Sequence, residues 1–185
     1  MLIVDYGEPS IHNISSILSE FNITSCIIGP TNPLPYGSFM GLILSGGPGH
    51  VYENDSPKLP FWIDQINIPI LCICYGMQLM VKRFGGNILP LVIGEEGPTK
   101  IKLIKPDKLL GDINHEMVWM NHTDIAINVP PEELTVTSLT QHHLVSSVTD
   151  GKQWWGVQFH PEVDVEDSTY GRAIFSNFIN ICTTK

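Results

Sequence analysis

One cysteine of this sequence has the surroundings of a nucleophile. Cys74 directly follows a run of apolar residues, and a helical pattern begins at Tyr75, with Gly76 as its second residue. A sharp strand-to-helix turn of this kind is a nucleophile elbow, here with a thiol in place of a hydroxyl. The N-terminus of the helix favours the thiolate, which is the reactive form. The alternative is an ordinary buried cysteine at the end of a core strand, and this is our interpretation of Cys72.

A histidine and a glutamate near the C-terminus could serve as partners of this thiol. His160 and Glu162 stand on either side of Pro161. Proline biases the preceding residue towards an extended backbone, and residues two apart in an extended chain point to the same side. The carboxylate of Glu162 can therefore hold the imidazole of His160 in one tautomer, as a cysteine nucleophile requires. In isolation, such a tripeptide is more often a surface turn.

The segment Ser-Gly-Gly-Pro-Gly at 45–49 follows another apolar run. It could bind phosphate, although it lacks the lysine and the Ser/Thr of a P-loop. It could also be a structural turn. A third interpretation is an oxyanion hole, in which a glycine N–H and the N–H after Cys74 stabilise a developing negative charge.

The elements that must position these residues follow a pattern of short apolar runs that alternate with helices. This pattern predicts a parallel α/β fold. Strands are predicted at 2–5, 24–28, 41–44 and 68–73, and helices at 11–21, 57–62, 75–84 and 170–181. We expect Ser10 to cap the first helix, Ser56 and Pro57 to begin the second, and Gly85 with Gly86 to end the third. Between 87 and 159 the pattern predicts short β segments of alternating polarity, separated by turns that contain Pro, Asn and Gly.

The composition limits the classes of function. A length of 185 residues suits a single domain, 1–185. The net charge is −9 and the ten Lys and Arg residues form no cluster, which argues against nucleic acid and against anionic membranes as partners. The N-terminus lacks the basic region of a signal peptide, and no apolar stretch approaches the ~20 residues of a membrane span. We therefore expect a cytoplasmic protein.

The four cysteines do not have the spacing of a disulfide framework. Cys72 and Cys74 could form half of a metal site, but no second pair of ligands completes it. The sequence thus predicts no metal and a reducing compartment.

Together, the three segments resemble the class I (triad) glutamine amidotransferases, which share an elbow of the form G-[IV]-C-x-G-x-Q, an S-G-G-P loop and a V-Q-F-H-P-E segment. The resemblance covers essentially the whole chain. It implies a flavodoxin-like, mostly parallel sheet flanked by helices, with added antiparallel β segments. It also implies that Cys74 is the nucleophile, His160 the general base and Glu162 its orienter. The implied oxyanion donors are Gly47 and Tyr75, and Gln78 would help to bind the substrate.

A further segment narrows the resemblance. Residues 118–124, Val-Trp-Met-Asn-His-Thr-Asp, resemble the W-M-[SN]-H-x-D signature of the glutaminase domains of GMP synthetases. In that group the positions of Trp119, Asn121 and Asp124 hold glutamine, and Asp124 is a suitable partner for its α-ammonium group. The alternative is an ordinary β-strand and turn with an amphipathic tryptophan.

The resemblance implies L-glutamine as substrate, no cofactor in this domain, and a synthetase partner, a subunit or a domain with ATP pyrophosphatase activity, that binds ATP and Mg²⁺. The sequence departs from the pattern in two places. Cys72 stands where the family usually has a glycine, so a larger side chain must fit beside the elbow. The start Asp-Tyr-Gly-Glu-Pro-Ser at 5–10 is closer to imidazole glycerol phosphate synthase glutaminases than to GMP synthetases. Alternatives are therefore a glutaminase of that synthase, of anthranilate synthase or of aminodeoxychorismate synthase. A stand-alone γ-glutamyl cysteine hydrolase and a non-catalytic regulatory module are further alternatives.

Overall fold

The computed structural model of the chain describes residues 1–111, 116–166 and 168–184. These residues form nine strands and three helices. The strands are β1 (Leu2–Val4), β2 (Cys26–Ile28), β3 (Leu42–Leu44), β4 (Ile70–Ile73), β5 (Asn87–Leu103), β6 (Met117–Ile127), β7 (Thr135–Thr140), β8 (Val145–Thr149) and β9 (Trp154–Val157). The helices are α1 (Ile11–Glu20), α2 (Tyr75–Arg83) and α3 (Tyr170–Thr183), and a 3-10 turn covers Ile63–Gln65.

The sheet has a parallel half and an antiparallel half. Its strand order is β2-β1-β3-β4-β9-β8-β7-β5-β6, with parallel pairs from β2 to β9 and antiparallel pairs from β9 to β6. Strands β1, β3 and β4 are buried throughout, which explains their continuous apolar composition. The predicted α/β fold, with a parallel sheet and added antiparallel β segments, is confirmed.

Alternating side chains of the parallel strands contribute to two apolar layers. Ile3 and Ile43 pack in the layer of α1 and α3, together with Phe175 and Phe178. Leu44, one residue along β3, lies in the opposite layer, which α2 covers. This alternation follows from the two-residue period of a strand. Each fully buried side chain of this size stabilises the fold by about 1.5–3 kcal/mol.

Cys72 lies in the layer under α2 and is fully buried. Its partner in the register of β4 and β9 is Gly156. A Cβ atom at Gly156 would lie 2.8 Å from Cγ of Met77, so this glycine is needed for the close packing of α2. Burial raises the pKa of the Cys72 thiol, which keeps it protonated.

Two predictions of local structure are wrong. The segment 57–62 is not a helix, since Pro60 cannot donate a backbone hydrogen bond and only the 3-10 turn Ile63–Gln65 forms after it. Ser10 precedes α1 but makes no side-chain capping bond. Its hydroxyl donates instead to Oε1 of Glu8 at 2.7 Å. The strands predicted at 24–28 and 68–73 are confirmed, but each begins two residues later.

The antiparallel half contains a long two-stranded ribbon rather than short segments. β5 has 17 residues and β6 has 11. Their register shifts between Pro90 and Glu95, opposite the stretch from Asp124 to His122. Gly94 lies in this bulge, where an added Cβ would be 2.5 Å from the carbonyl oxygen of His122. The ribbon thereby brings residues 121–124 to the carboxyl ends of the parallel strands. Part of the predicted β region, 112–115, is outside the described residues.

Candidate active site

Cys74 occupies the turn between β4 and α2. Its backbone has φ 48° and ψ −104°, a conformation that side chains other than glycine rarely adopt. The turn is fixed on both sides: the Cys74 N–H donates to the carbonyl of Val157 at 2.8 Å, and the Gly76 N–H donates to that of Ser45 at 3.1 Å. A Cβ atom at Gly76 would lie 2.5 Å from the carbonyl oxygen of Leu44. The structure therefore has the strained elbow that the sequence pattern predicts.

His160 and Glu162 lie beyond the end of β9, and both are buried. Nδ1 of His160 is 2.8 Å from Oε1 of Glu162, so an N–H on Nδ1 donates to the carboxylate. The backbone N–H of His160 donates to the carbonyl of Trp119 at 2.8 Å, which fixes the chain on this side of the pocket. Nε2 of His160 is buried without a hydrogen-bond partner among the described residues. This nitrogen is free to exchange a proton with a substrate.

The charge of His160 depends on its two neighbours. Burial lowers the pKa of the imidazole, but the neighbouring Cys74 thiol and Glu162 carboxylate raise it by more. The net effect is a raised pKa, so the imidazolium form is favoured at neutral pH. Such a cation beside a thiol stabilises the thiolate and can give a proton to a leaving group.

Glu8 is a second carboxylate at the same imidazole, and the sequence interpretation missed it. Its side chain is buried, and Oε2 lies 3.7 Å from Nδ1 of His160. Ser10 connects the two carboxylates, since its hydroxyl is 2.7 Å from Glu8 and 3.2 Å from Glu162. Gly46 leaves the space for them, because a Cβ there would lie 2.2 Å from Oε2 of Glu8. The position of Glu8 after β1 was a signal in the sequence. β1 is parallel to its neighbour β3, so the segments that follow the two strands meet at the same edge of the sheet.

Gln158 is a second residue that the sequence interpretation missed. It is fully buried, and its Nε2 lies 3.4 Å from Sγ of Cys74. Its Oε1 is 3.4 Å from Nε2 of Gln78. In an extended chain, Gln158 lies on the same side as His160 and Glu162, since residues two apart point the same way. The alternation was thus a signal for all three residues.

One predicted oxyanion donor, Gly47, lines the cavity that contains Cys74, and the other, Tyr75, directly follows Cys74 in the chain. Gly47 packs so closely on Tyr6 that a Cβ would lie 2.5 Å from the Tyr6 carbonyl oxygen. Tyr75 is the first residue of α2, where backbone N–H groups have no partner within the helix. Its ring is buried against Tyr6, and its hydroxyl donates to the carbonyl of Pro57 at 2.6 Å. This position leaves the N–H of Tyr75 suited to bind an oxyanion, as preorganised backbone donors do in acyl-transfer enzymes.

A cavity of about 250 Å³ opens at Cys74. This volume is below the ~300–1,000 Å³ of pockets for drug-sized ligands, and it suits a ligand as small as an amino acid. Its walls include Gly47, Gln78, Asn121 and Asp124, four of the residues predicted to bind the substrate or the oxyanion. Trp119 is not part of this wall. It borders a smaller cavity and reaches the site through its backbone carbonyl, which binds His160.

The charged residues of the cavity wall are acidic or histidine. The wall contains Glu8 and Asp124 together with three histidines, and neither lysine nor arginine is among its described residues. Asp124 is 3% exposed. A buried carboxylate is well suited to bind an ammonium group in such a wall.

One set of three side chains among the described residues could converge on a metal ion. Glu8, His160 and Glu162 each offer a ligand atom, and these atoms lie within 4.8 Å of one another. The hydrogen bond from Nδ1 of His160 to Glu162 already uses two of them. The absence of a metal stays a prediction.

A strained thiol beside an imidazole that a carboxylate holds has the chemistry of a cysteine-dependent acyl transferase or hydrolase. Comparison with known proteins narrows this class. The family model described as "Glutamine amidotransferase class-I" matches residues 2–181. The chain belongs to the class-I glutamine amidotransferase family.

Relatives within the family carry more specific names. The chain is 37% identical over 183 residues to "GMP synthase [glutamine-hydrolyzing]" of Thermotoga sp. (strain RQ2), covering 98% of this chain and 36% of that protein. It is 36% identical to the protein of the same name from Bacillus subtilis (strain 168), covering 97% of this chain and 35% of that protein. The chain therefore spans about a third of the length of these relatives.

Solved structures agree in fold. The crystal structure of a putative GMP synthase subunit from Thermoplasma acidophilum has a TM-score of 0.81 and 30% identity, and the match covers 98% of this chain and 92% of that chain. A glutamine amidotransferase from Thermotoga maritima has the same TM-score of 0.81 at 18% identity, and the match covers 99% of this chain and 97% of that chain.

None of the helices in the described residues has the length and apolar composition of a membrane span.

Proposed function

We propose that this domain hydrolyses L-glutamine to glutamate and ammonia through a thioester on Cys74, and that a synthetase uses the ammonia to convert XMP to GMP. The observation that carries the glutaminase assignment is the strained Cys74 in one pocket with Nε2 of His160, which has no hydrogen-bond partner among the described residues. Family membership supports the substrate.

The first half-reaction forms the thioester. The Cys74 thiolate attacks the side-chain amide carbon of glutamine, and a C–S bond forms. The N–H groups of Gly47 and Tyr75 stabilise the negative charge on the amide oxygen. His160, held by Glu162, gives its Nε2 proton to the amide nitrogen, the C–N bond breaks, and ammonia leaves.

The second half-reaction restores the enzyme. Water takes the place of ammonia, and Nε2 of His160 accepts a proton as the water oxygen attacks the thioester carbon. The C–S bond breaks, glutamate leaves, and Cys74 is again a thiolate beside an imidazolium. Each group returns to its starting state, so the cycle needs no redox partner.

The cavity supports a binding mode for glutamine. Asp124 binds the α-ammonium group, while Gln78 and Asn121 orient the rest of the amino acid. Trp119 contributes through the backbone contact that fixes His160, since its side chain lies outside the cavity wall.

The names of the relatives support the synthetase partner. Because the chain spans about a third of the GMP synthases that it matches, we propose that an ATP- and Mg²⁺-dependent synthetase occupies a separate domain or subunit. The Thermoplasma acidophilum protein, whose chain is matched almost completely and is itself described as a subunit, supports a partner on a separate polypeptide. Imidazole glycerol phosphate, anthranilate and aminodeoxychorismate synthases remain the competing partners, and a stand-alone γ-glutamyl hydrolase the competing activity.

Alkylation by a glutamine analogue tests the glutaminase assignment. The reagent should label Cys74 and not Cys72, because Cys72 is fully buried with a protonated thiol. Mass spectrometry of the proteolytic peptides distinguishes the two cysteines, and excess glutamine should protect Cys74 from labelling. Cys74→Ala should abolish release of glutamate, whereas the matched Cys72→Ala should keep most of it. Labelling of Cys72, or hydrolysis by Cys74→Ala, would contradict the assignment.

A further inference from the structure

The carboxylate of Asp124 is occupied in this structure by two residues of the loop that follows β3. Oδ2 of Asp124 lies 2.6 Å from Nδ1 of His50, and Oδ1 lies 3.2 Å from the hydroxyl of Tyr52. The rings of His50 and Tyr52 stack with their centres 5.4 Å apart. Both carboxylate oxygens therefore have a partner before any substrate binds.

The members of this cluster differ in how easily they can leave it. The side chain of Asp124 is 4% exposed, so it cannot turn away from the cavity without losing its buried position. The side chain of His50 is 38% exposed and Tyr52 is 42% exposed. If Asp124 exchanged its partners, the rings of His50 and Tyr52 would move, and water could replace their contacts with the carboxylate.

We propose that His50 competes with the α-ammonium group of glutamine for Asp124, and thereby determines how tightly the site holds its substrate. The inference rests on the proposed function, in which Asp124 binds that ammonium group. Both His50 and the α-ammonium group can supply a positive charge and a hydrogen-bond donor to Oδ2 of Asp124, and His50 lines the same cavity. Glutamine binding then exchanges a solvent-accessible ring for the ammonium group.

The competition should depend on pH. The groups facing His50 are Asp124 on β6 and Tyr52 and Glu53 on its own loop. Its hydrogen bond to Asp124 raises the pKa of His50, burial lowers it, and the charges of Asp124 and Glu53 raise it further, so the net shift is upward. The imidazolium is the stronger competitor because it attracts the carboxylate and repels an ammonium group. Glutamine affinity should therefore rise as the pH rises and His50 loses its proton.

Direct binding measurements separate this inference from catalysis. In the full chain carrying Cys74→Ala, the Kd for glutamine is measured by calorimetry at about pH 6 and about pH 8, on either side of the ordinary histidine range. The same titration uses glutaramate, which is glutamine without its α-amino group. His50→Gln removes the charge and keeps a donor, and the exposed His12→Gln is the matched control. His122 and His160 line the cavity in every variant, so a difference between variants cannot come from them.

The Kd for glutamine should fall about three- to tenfold between the two pH values, within the limit of about tenfold per pH unit for one proton. In His50→Gln, the Kd should change little between the two pH values, and at the lower pH it should be below that of the parent. His12→Gln should behave like the parent. Glutaramate should be insensitive to His50→Gln. Weaker binding of glutamine by His50→Gln at both pH values would overturn the inference, since His50 would then orient Asp124. Failure of the parent to bind glutamine at either pH would instead refute the proposed function.

Discussion

At the scale of single residues, the unexpected feature is the presence of two buried carboxylates at one imidazole. Glu162 makes the short contact to Nδ1 of His160, at 2.8 Å, and Glu8 lies at 3.7 Å. Either negative charge can stabilise the imidazolium, because electrostatic attraction persists beyond hydrogen-bond distance in a buried site. We infer that Glu8 is a positioning residue that partly substitutes for Glu162.

This redundancy predicts a non-additive pair of substitutions. His160→Ala should lower the rate of glutamine hydrolysis by the ~10²–10⁴-fold typical of a lost acid–base group. Glu162→Gln should have a smaller effect, since Glu8 still faces the ring. The double variant Glu8→Gln/Glu162→Gln should lose more than the product of the two single losses. The pH profile of kcat/KM should also shift to lower pH in the double variant, because the pKa of His160 falls.

Steady-state kinetics of the four proteins measures this coupling, and the exposed Glu132→Gln serves as a control. Strict additivity, or a pH profile that does not move, would assign Glu8 a purely structural role.

At the scale of elements, the turn from β4 to α2 combines strain with tight packing. The positive φ of Cys74 is maintained by backbone hydrogen bonds to Val157 and by the contact of Gly76 with Leu44. A residue in such a conformation costs roughly 1–3 kcal/mol, which the surrounding packing must offset. The elbow therefore lowers stability at the position where the proposed chemistry occurs.

Removal of the strain should stabilise the fold. Cys74→Gly and Cys74→Ala both delete the thiol, but only glycine accepts this φ without strain. We expect Cys74→Gly to have the higher free energy of unfolding, by about 1 kcal/mol after the greater flexibility of glycine in the unfolded chain is counted. Urea denaturation followed by tryptophan fluorescence measures the difference.

Cys182, in helix α3, provides the matched control. There the order should reverse, because glycine in a helix is roughly 0.5–1 kcal/mol less favourable than alanine. If the alanine variant were the more stable one at both cysteines, the turn at Cys74 would not be strained.

The sequence predicts the elements of the site better than the contacts between them. The elbow could be predicted because its signals are local: an apolar run, Cys74 and Gly76 lie next to one another. Pro161 lies directly between His160 and Glu162, so their signal is local in the same way. Ser10, which joins Glu8 to Glu162, is 152 positions from Glu162, and His50 is 74 positions from Asp124. Such contacts depend on strand order and on the bulge in β5, and neither leaves a local pattern.

At the scale of the whole molecule, the relationship to GMP synthases bears on the proposed synthetase partner. A glutaminase that ran unchecked would waste glutamine, so its rate should depend on a synthetase that is occupied by its own substrates. Docking can produce this dependence by rearranging the loop around Gly47 or the residues that hold glutamine.

The prediction for the partner is a coupled rate. Alone, the chain should hydrolyse glutamine slowly, and the cognate synthetase with ATP, Mg²⁺ and XMP should accelerate it. GMP should then form from glutamine when free ammonia is kept low. A coupled assay for glutamate and GMP measures both products, and omission of XMP is the control. Stimulation by an imidazole glycerol phosphate or anthranilate synthase subunit, with none from the XMP enzyme, would contradict the GMP assignment and leave the glutaminase chemistry intact.

The position of β9 determines when the site can exist during folding. Among the described residues it is the last strand in chain order, yet it lies between β4 and β8 in the middle of the sheet. Before residues 154–157 have been synthesised, the apolar strand β4 has an open edge, which is prone to aggregation. Cys74 is translated 86 residues ahead of His160, so a nascent chain carries the thiol long before its proposed base. The proposed triad can therefore form only after β9 has inserted, since His160 and Glu162 follow this strand in the chain.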